Sequence, residues 1–279
     1  MACLAILLPA FVVHGHGIRE HKNIPYLEDA GYADDKDKLD IFVPGGQGPF
    51  PVLYFIHGGG LLRGDKSMYD FIGHYFAAKG IITVNVNHRL SPQVAHPSHI
   101  EDVAASFAWV KKNIAEYRGD SDRIAVVGHS AGAYLAALIA LDESYLSAHD
   151  LSLSDIAAVA PISGFFHVER LAPSRPKSVW GEIESDWIAA SPAKHASGTA
   201  PPMLLLYADG DVPERRKESE DLADLLRKAD SSFVTTEEIK DRTHVTIVRE
   251  MGSDADRTTQ AVLEFMIQRG LLNKKEKEK

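Results

Sequence analysis

Gly128-His129-Ser130-Ala131-Gly132 fits the pattern G-x-S-x-G. Residues 124–127 before it are β-type and residues 131–141 after it are Ala-rich and helical, so Ser130 falls on a strand-to-helix turn. Two glycines permit a turn tight enough to strain the serine and lift its hydroxyl above a sheet, with a helix N-terminus aimed at any negative charge that develops there. A serine hydroxyl is a poor nucleophile near neutral pH. It needs a histidine to take its proton and a carboxylate to orient that histidine. Of the thirteen histidines, His244 lies in residues 241–244 (DRTH), between the last strand and the last helix. A strand's carboxyl end is where catalytic loops gather in open α/β sheets. The acid should follow the strand that ends near Tyr207. Asp209 and Asp211 both qualify; Asp211 is preferred, because Asp209 beside Gly210 is suited to holding the turn.

His57-Gly58-Gly59-Gly60 ends another strand. A carbonyl attacked by a serine becomes an oxyanion, which needs N–H donors fixed in advance. Gly59, Gly60 and Ala131 are the candidate donors. His57 is expected to be structural, its ring bonded within the loop, and the side chain of His129 should point away from the nucleophile. His14, His16 and His21 cluster in sequence but lack acidic partners, so they are not read as metal ligands.

The elements that must hold these groups alternate. Apolar β-type runs occupy residues 39–43, 51–57, 81–86, 123–128, 156–162, 202–207 and 233–239. Helical spacing marks residues 69–79, 98–117, 131–141, 214–229 and 255–269. Ser98 and Glu101 read as a capping box. The pattern predicts an α/β fold with a mostly parallel central sheet and helices on both faces. Residues 164–200 break the rhythm with Pro173, Pro176 and Pro192 and with Phe165, Phe166, Trp180 and Trp187, and read as a small lid insertion. Phe165 and Trp187 are candidates to contact substrate; the alternative is that the four aromatics form the lid's own core. Arg89 and Asp102 read as a buried structural ion pair.

The chain has 279 residues, 45% hydrophobic and 25% charged, with a formal net charge of −9. That is the mix of an ordinary globule and gives no global attraction to nucleic acid or anionic membrane. A cation or an uncharged substrate is easier to accommodate than a polyanion. The single cysteine, Cys3, excludes an intramolecular disulfide and a CxxC site. Residues 1–15 read either as a signal peptide lacking its basic start or as an apolar segment packed on the body. The compartment is therefore secreted or periplasmic in the first case and cytoplasmic in the second. Residues 16–272 read as one domain and 273–279 as a charged tail.

Together these residues resemble an α/β-hydrolase esterase, specifically the carboxylesterases with the HGGG motif and their small feruloyl- and acetylesterase-like group. The resemblance spans about residues 39–270 and includes Gly64-Asp65-Lys66, Arg89-Leu90-Ser91-Pro92 and Ser191-Pro192. It implies an α/β-hydrolase fold, a triad of Ser130, Asp211 and His244 in the order Ser, Asp, His, and an oxyanion hole from Gly59, Gly60 and Ala131. It implies no metal and no organic cofactor. The partner is a small-molecule ester, with short acyl or aryl groups favoured, and the protein is a monomer or homodimer. The chain departs from larger relatives in leaving little room for an N-terminal helical cap, and in placing His88 where an aromatic often precedes the arginine. Alternatives are an amide hydrolase (formamidase-like or a peptidase), an interfacial lipase, and a catalytically silent binding protein of this fold.

Overall fold

A computed structural model describes residues 13–14, 17–27, 32, 34–175, 177–231 and 233–273. The expectations for residues 1–12 and for the tail beyond 273 lie outside them. Nine strands form one sheet among the described residues: β1 (Val13–His14), β2 (Ile18–Pro25), β3 (Lys38–Val43), β4 (Phe50–Ile56), β5 (Ile82–Val86), β6 (Gly119–His129), β7 (Ala158–Ile162), β8 (Met203–Gly210) and β9 (Val234–Thr243). Their spatial order is β1-β2-β3-β5-β4-β6-β7-β8-β9. The first three pairings are antiparallel and the remaining five parallel. The expected mostly parallel sheet is therefore present, with an antiparallel edge that the sequence pattern did not reveal. β2 reads IREHKNIP, and only one of its eight residues is buried, so it carries no apolar alternation to detect.

The parallel strands are buried on both faces, and their side chains alternate between two cores. Val52, Tyr54 and Ile56 of β4 point into one; Leu53 and Phe55 point into the other. Helices α1 (Asp70–Ala78), α2 (Ser98–Asn113), α3 (Ala131–Leu141) and α4 (Glu143–Ser147) follow in chain order. Next come three short helices of the 164–200 segment, α5 (Val168–Leu171), α6 (Lys177–Trp180) and α7 (Glu184–Ala189), and then α8 (Pro213–Lys228), α9 (Thr246–Arg249) and α10 (Arg257–Gln268). α2, α3 and α8 pack on the first face, α1 and α10 on the second. Burial of the apolar strand and helix faces is the main force holding these layers together. No helix among the described residues is long and apolar enough to cross a membrane.

The capping box did not form. Pro97 occupies the N-cap of α2, Ser98 is its first helical residue, and no side chain caps the end; Glu101 still favours the first turn through the helix dipole. The segment 164–200 is broken into short pieces because Pro173 and Pro192 each open a 3₁₀ turn. Its residues Phe165, Phe166, Val168, Val179 and Trp180 join the core on the α3 face.

Candidate active site

Ser130 sits between the end of β6 and the start of α3 with φ 56° and ψ −113°, a conformation sparsely populated by L-residues. Its own N–H donates to the Ile162 carbonyl at 2.9 Å, so the turn is tied to β7. Gly132 explains why the elbow can be this tight: a Cβ there would lie 2.1 Å from the Ile56 carbonyl oxygen. Only glycine lets the first turn of α3 rest on the end of β4 and bring Ser130 beside the loop that follows that strand.

His244 bridges Ser130 and Asp211. Its Nε2 lies 2.9 Å from Ser130 Oγ and its Nδ1 2.9 Å from Asp211 Oδ1. Asp211 Oδ1 also accepts the Val212 N–H at 2.9 Å. Asp211 Oδ2 is buried, as is Ser163 Oγ, and neither forms a direct bond of good geometry. Burial alone would raise the Asp211 pKa. The bond to His244 and the Ser163 hydroxyl facing the carboxylate outweigh it, and the pKa lies below the ordinary value. Of the two aspartates, Asp211 is the one placed against His244. Asp209 holds the turn as expected, its carboxylate accepting the N–H groups of Asp241 and Arg242, both at 3.1 Å. That contact ties β8 to the loop carrying His244.

His129 turns away from Ser130, and its Nε2–H donates to the His244 carbonyl at 2.7 Å. Burial, and then the nearby His244, push its pKa down to about 3, so the ring is neutral. Sequence reasoning found the direction of this ring but not its partner. Ser163 was missed altogether: it has φ 52° and follows β7 directly, and only strand order reveals that it faces Asp211.

The loop after β4 carries Gly59 with φ 128° and Gly60 with φ 70°. A Cβ on Gly59 would meet the Arg63 carbonyl oxygen at 1.8 Å, so this position admits no other residue without rebuilding the loop. Among the described residues the N–H groups of Gly59, Gly60 and Ala131 donate no hydrogen bond, which leaves them available to a ligand. Gly58 packs against His129 and Ser130, so the loop lies against the elbow. His57 is structural: its Nδ1–H donates to the Gly58 carbonyl at 2.8 Å and its ring stacks on His88 at 4.5 Å. Burial drives its pKa to about 3.

Arg89 and Asp102 form the expected pair. Arg89 Nη2 reaches Asp102 Oδ1 at 2.7 Å, Nε reaches Oδ2 at 2.8 Å, and Asp102 is buried. Phe165 is buried, stacked on Tyr134 at 4.8 Å with Trp180 edge-on to both. It also lines a cavity of about 110 Å³ with His167, Arg170, Leu171 and Arg215. Trp187 is half-buried; its Nε1–H donates to the Trp180 carbonyl and its own carbonyl accepts from Ser191. Both bonds stay within residues 164–200, and the ring packs against the core on the α3 face.

Comparison with known proteins places this geometry in context. A family model described as BD-FAE matches residues 39–226. The chain is 31% identical over 209 residues to a probable carboxylic ester hydrolase, LipM, of Mycobacterium tuberculosis, covering 69% of this chain and 48% of that protein. It is 30% identical over 251 residues to the esterase LipQ of the same organism, covering 83% and 58%. It thus spans about half the length of these curated relatives. Among solved structures, an inhibited esterase B from Lactobacillus rhamnosis superposes with TM-score 0.78 at 19% identity, over 96% of this chain and 92% of that one. A truncated carbohydrate esterase from gut microbiota gives 0.76 at 20%, over 91% and 96%. These two likenesses identify the architecture as the α/β-hydrolase fold.

Proposed function

The chain belongs to the BD-FAE family, and from that premise we propose that it is a serine hydrolase of carboxylic esters acting through Ser130, His244 and Asp211. The observation that carries the reading is His244 bridging Ser130 and Asp211, with 2.9 Å on each side.

In the proposed reaction His244 Nε2 takes the Ser130 proton as Oγ attacks the ester carbonyl. The tetrahedral oxyanion is held by the N–H groups of Gly59, Gly60 and Ala131, the last at the positive end of α3. Asp211 fixes the tautomer of His244 and stabilises the imidazolium without taking its proton. His244 then protonates the leaving alcohol. Water, deprotonated by the same imidazole, releases the acid from the acyl-enzyme. The exposed Val212 and Val245, each next in sequence to a triad residue, give the rim an apolar character suited to short acyl or aryl groups. α7 has only six residues, too short for the long apolar lid helix of an interfacial lipase.

The test is a series of p-nitrophenyl esters from acetate to dodecanoate, with Ser130→Ala as blank and a fluorophosphonate probe followed by peptide mass mapping. Turnover that falls with chain length, vanishes in the variant and is matched by a phosphonyl adduct on Ser130 supports the reading. An adduct on Ser130 with no ester turnover, together with cleavage of a formylated aryl amine, moves the assignment to amide hydrolysis. Neither adduct nor turnover sinks it.

A further inference from the structure

Among the described residues two guanidinium groups, one against Gly60 and one four residues past Asp211, form no ion pair, unlike several other arginines. Arg89, Arg123, Arg170, Arg242 and Arg257 each bond a carboxylate. Arg215, on the first turn of α8 and four residues after Asp211, is only 7% exposed. Its guanidinium makes no hydrogen bond or ion pair among the described residues, and its Nε is buried without an acceptor. The group lies over the Phe165 ring, 5.2 Å from its centroid, and lines the small cavity under the lid. Arg175, in the lid between α5 and α6, also forms no ion pair among the described residues. Its Nη1 sits 3.1 Å from where a Gly60 Cβ would stand, so the bare α-carbon of the oxyanion loop is what admits it.

Two carboxylates of α8, Glu214 and Glu218, line the same cavity, and neither forms an ion pair with Arg215. Glu218 is already engaged by the N–H groups of Phe166 and His167, by the His167 ring and by Arg170. Burial and the nearby Arg175 both disfavour the charge on Arg215, with Asp211, Glu218 and Glu214 opposing them. In a chain with nine surplus negative charges, two cations without ion pairs, near enough to repel each other, are conspicuous, because a buried guanidinium without an acceptor is costly. A guanidinium fork matches a carboxylate in shape and charge.

We propose that Arg175 and Arg215 form a carboxylate subsite against the Gly60 loop, and that the substrate is an ester bearing a free carboxylate in addition to the bond cleaved. This deepens the ester-hydrolase reading and rests on it. It also revises the expectation from net charge, which favoured a cationic or neutral substrate: two guanidinium groups stand near each other beside the site although the whole molecule is negative.

The test compares each anionic ester with its neutral amide isostere. 4-Acetoxybenzoate against 4-acetoxybenzamide places the carboxylate on the alcohol side. Monomethyl glutarate against methyl 4-carbamoylbutanoate places it on the acyl side. In the wild type, kcat/KM should favour the anionic member of at least one pair by about tenfold or more, mostly through KM, and the preference should shrink as salt rises. Arg215→Gln and Arg175→Gln should each erase most of that preference. Arg215→Lys, which keeps the charge but not the fork, should retain part of it. If Arg215→Gln does not fold, Arg175→Gln on the half-exposed lid loop carries the test. A wild type with no anionic preference in either pair, or a preference unchanged in the variants, overturns the subsite. Failure of the wild type to cleave even the neutral esters would instead overturn the ester-hydrolase reading.

Discussion

His129 Nε2–H donates to the backbone carbonyl of His244 at 2.7 Å. The elbow therefore grips His244 twice: Ser130 Oγ meets the ring, and its neighbour in sequence holds the main chain of the same residue. Because His129 is buried and neutral, this bond does not vary with pH in the range where a serine hydrolase works.

His129→Phe removes the donor while filling the space. The His244 loop should shift by a fraction of an ångström, and kcat should fall about 10- to 100-fold with little change in KM. His129→Gln, whose amide N–H can reach the same carbonyl, should recover part of the loss. Steady-state kinetics on one short-chain ester, with a thermal melt to show that both variants fold, decides this. Equal rates for His129→Phe and wild type would remove His129 from the positioning of the base.

Asp209 and Asp211 lie two residues apart and do different work, so their amides should separate. Asp211→Asn puts a donor opposite Nδ1 and favours the wrong tautomer of His244, which should cost about 10⁴ in kcat. Asp209→Asn keeps one oxygen able to accept from the Asp241 or Arg242 N–H and should cost at most about tenfold. Parallel kcat values for the two variants are the measurement; a larger loss at Asp209 would exchange their roles.

Ser130 pays for its position in backbone strain. Ser130→Gly should abolish ester turnover and yet raise stability by about 1 kcal/mol, since glycine adopts positive φ freely. Ser130→Ala should abolish turnover without that gain, because alanine is strained in the same way. For a chain of this size the difference in melting temperature between the two variants should be about 2 °C. No difference between them would mean that the elbow is unstrained.

The parts legible in the sequence were those whose chemistry is local. G-x-S-x-G before a helix located Ser130, and a histidine and an aspartate after successive strands located His244 and Asp211. Continuous apolar runs located the parallel strands, because burial on both faces leaves no other composition. What stayed hidden depends on who lies next to whom. β2 is polar and pairs through backbone groups, so its side chains carry no signal. Ser98 and Glu101 match a capping box, but Pro97 takes the cap position, and which residue starts a helix is decided by the whole chain path. Ser163 and the partner of His129 follow from strand order and register. Arg175 and Arg215 are forty residues apart and look like ordinary surface cations until the lid is folded over Gly60.

Buried neutral histidines make this fold sensitive to mild acid. Burial is the largest cause lowering the pKa of His57, His99 and His129 to about 3 and of His96 to about 4. In the unfolded chain each returns to the ordinary histidine value of about 6.5. Between those values the unfolded state binds more protons than the native state, so stability rises with pH across the window and is lost as pH falls below about 6.5. Each such group contributes a slope of up to about 1.4 kcal/mol per pH unit in mid-window. Carboxylates held below their ordinary values, Asp211 and Glu218 among them, add to the loss only in more acidic solution, where the unfolded chain begins to protonate them. The urea midpoint should therefore be level from pH 8 to 7 and decline already between pH 6.5 and 5, and His99→Gln should make that decline shallower. A midpoint that holds constant down to pH 5 would mean that these rings are protonated or hydrated in the native state.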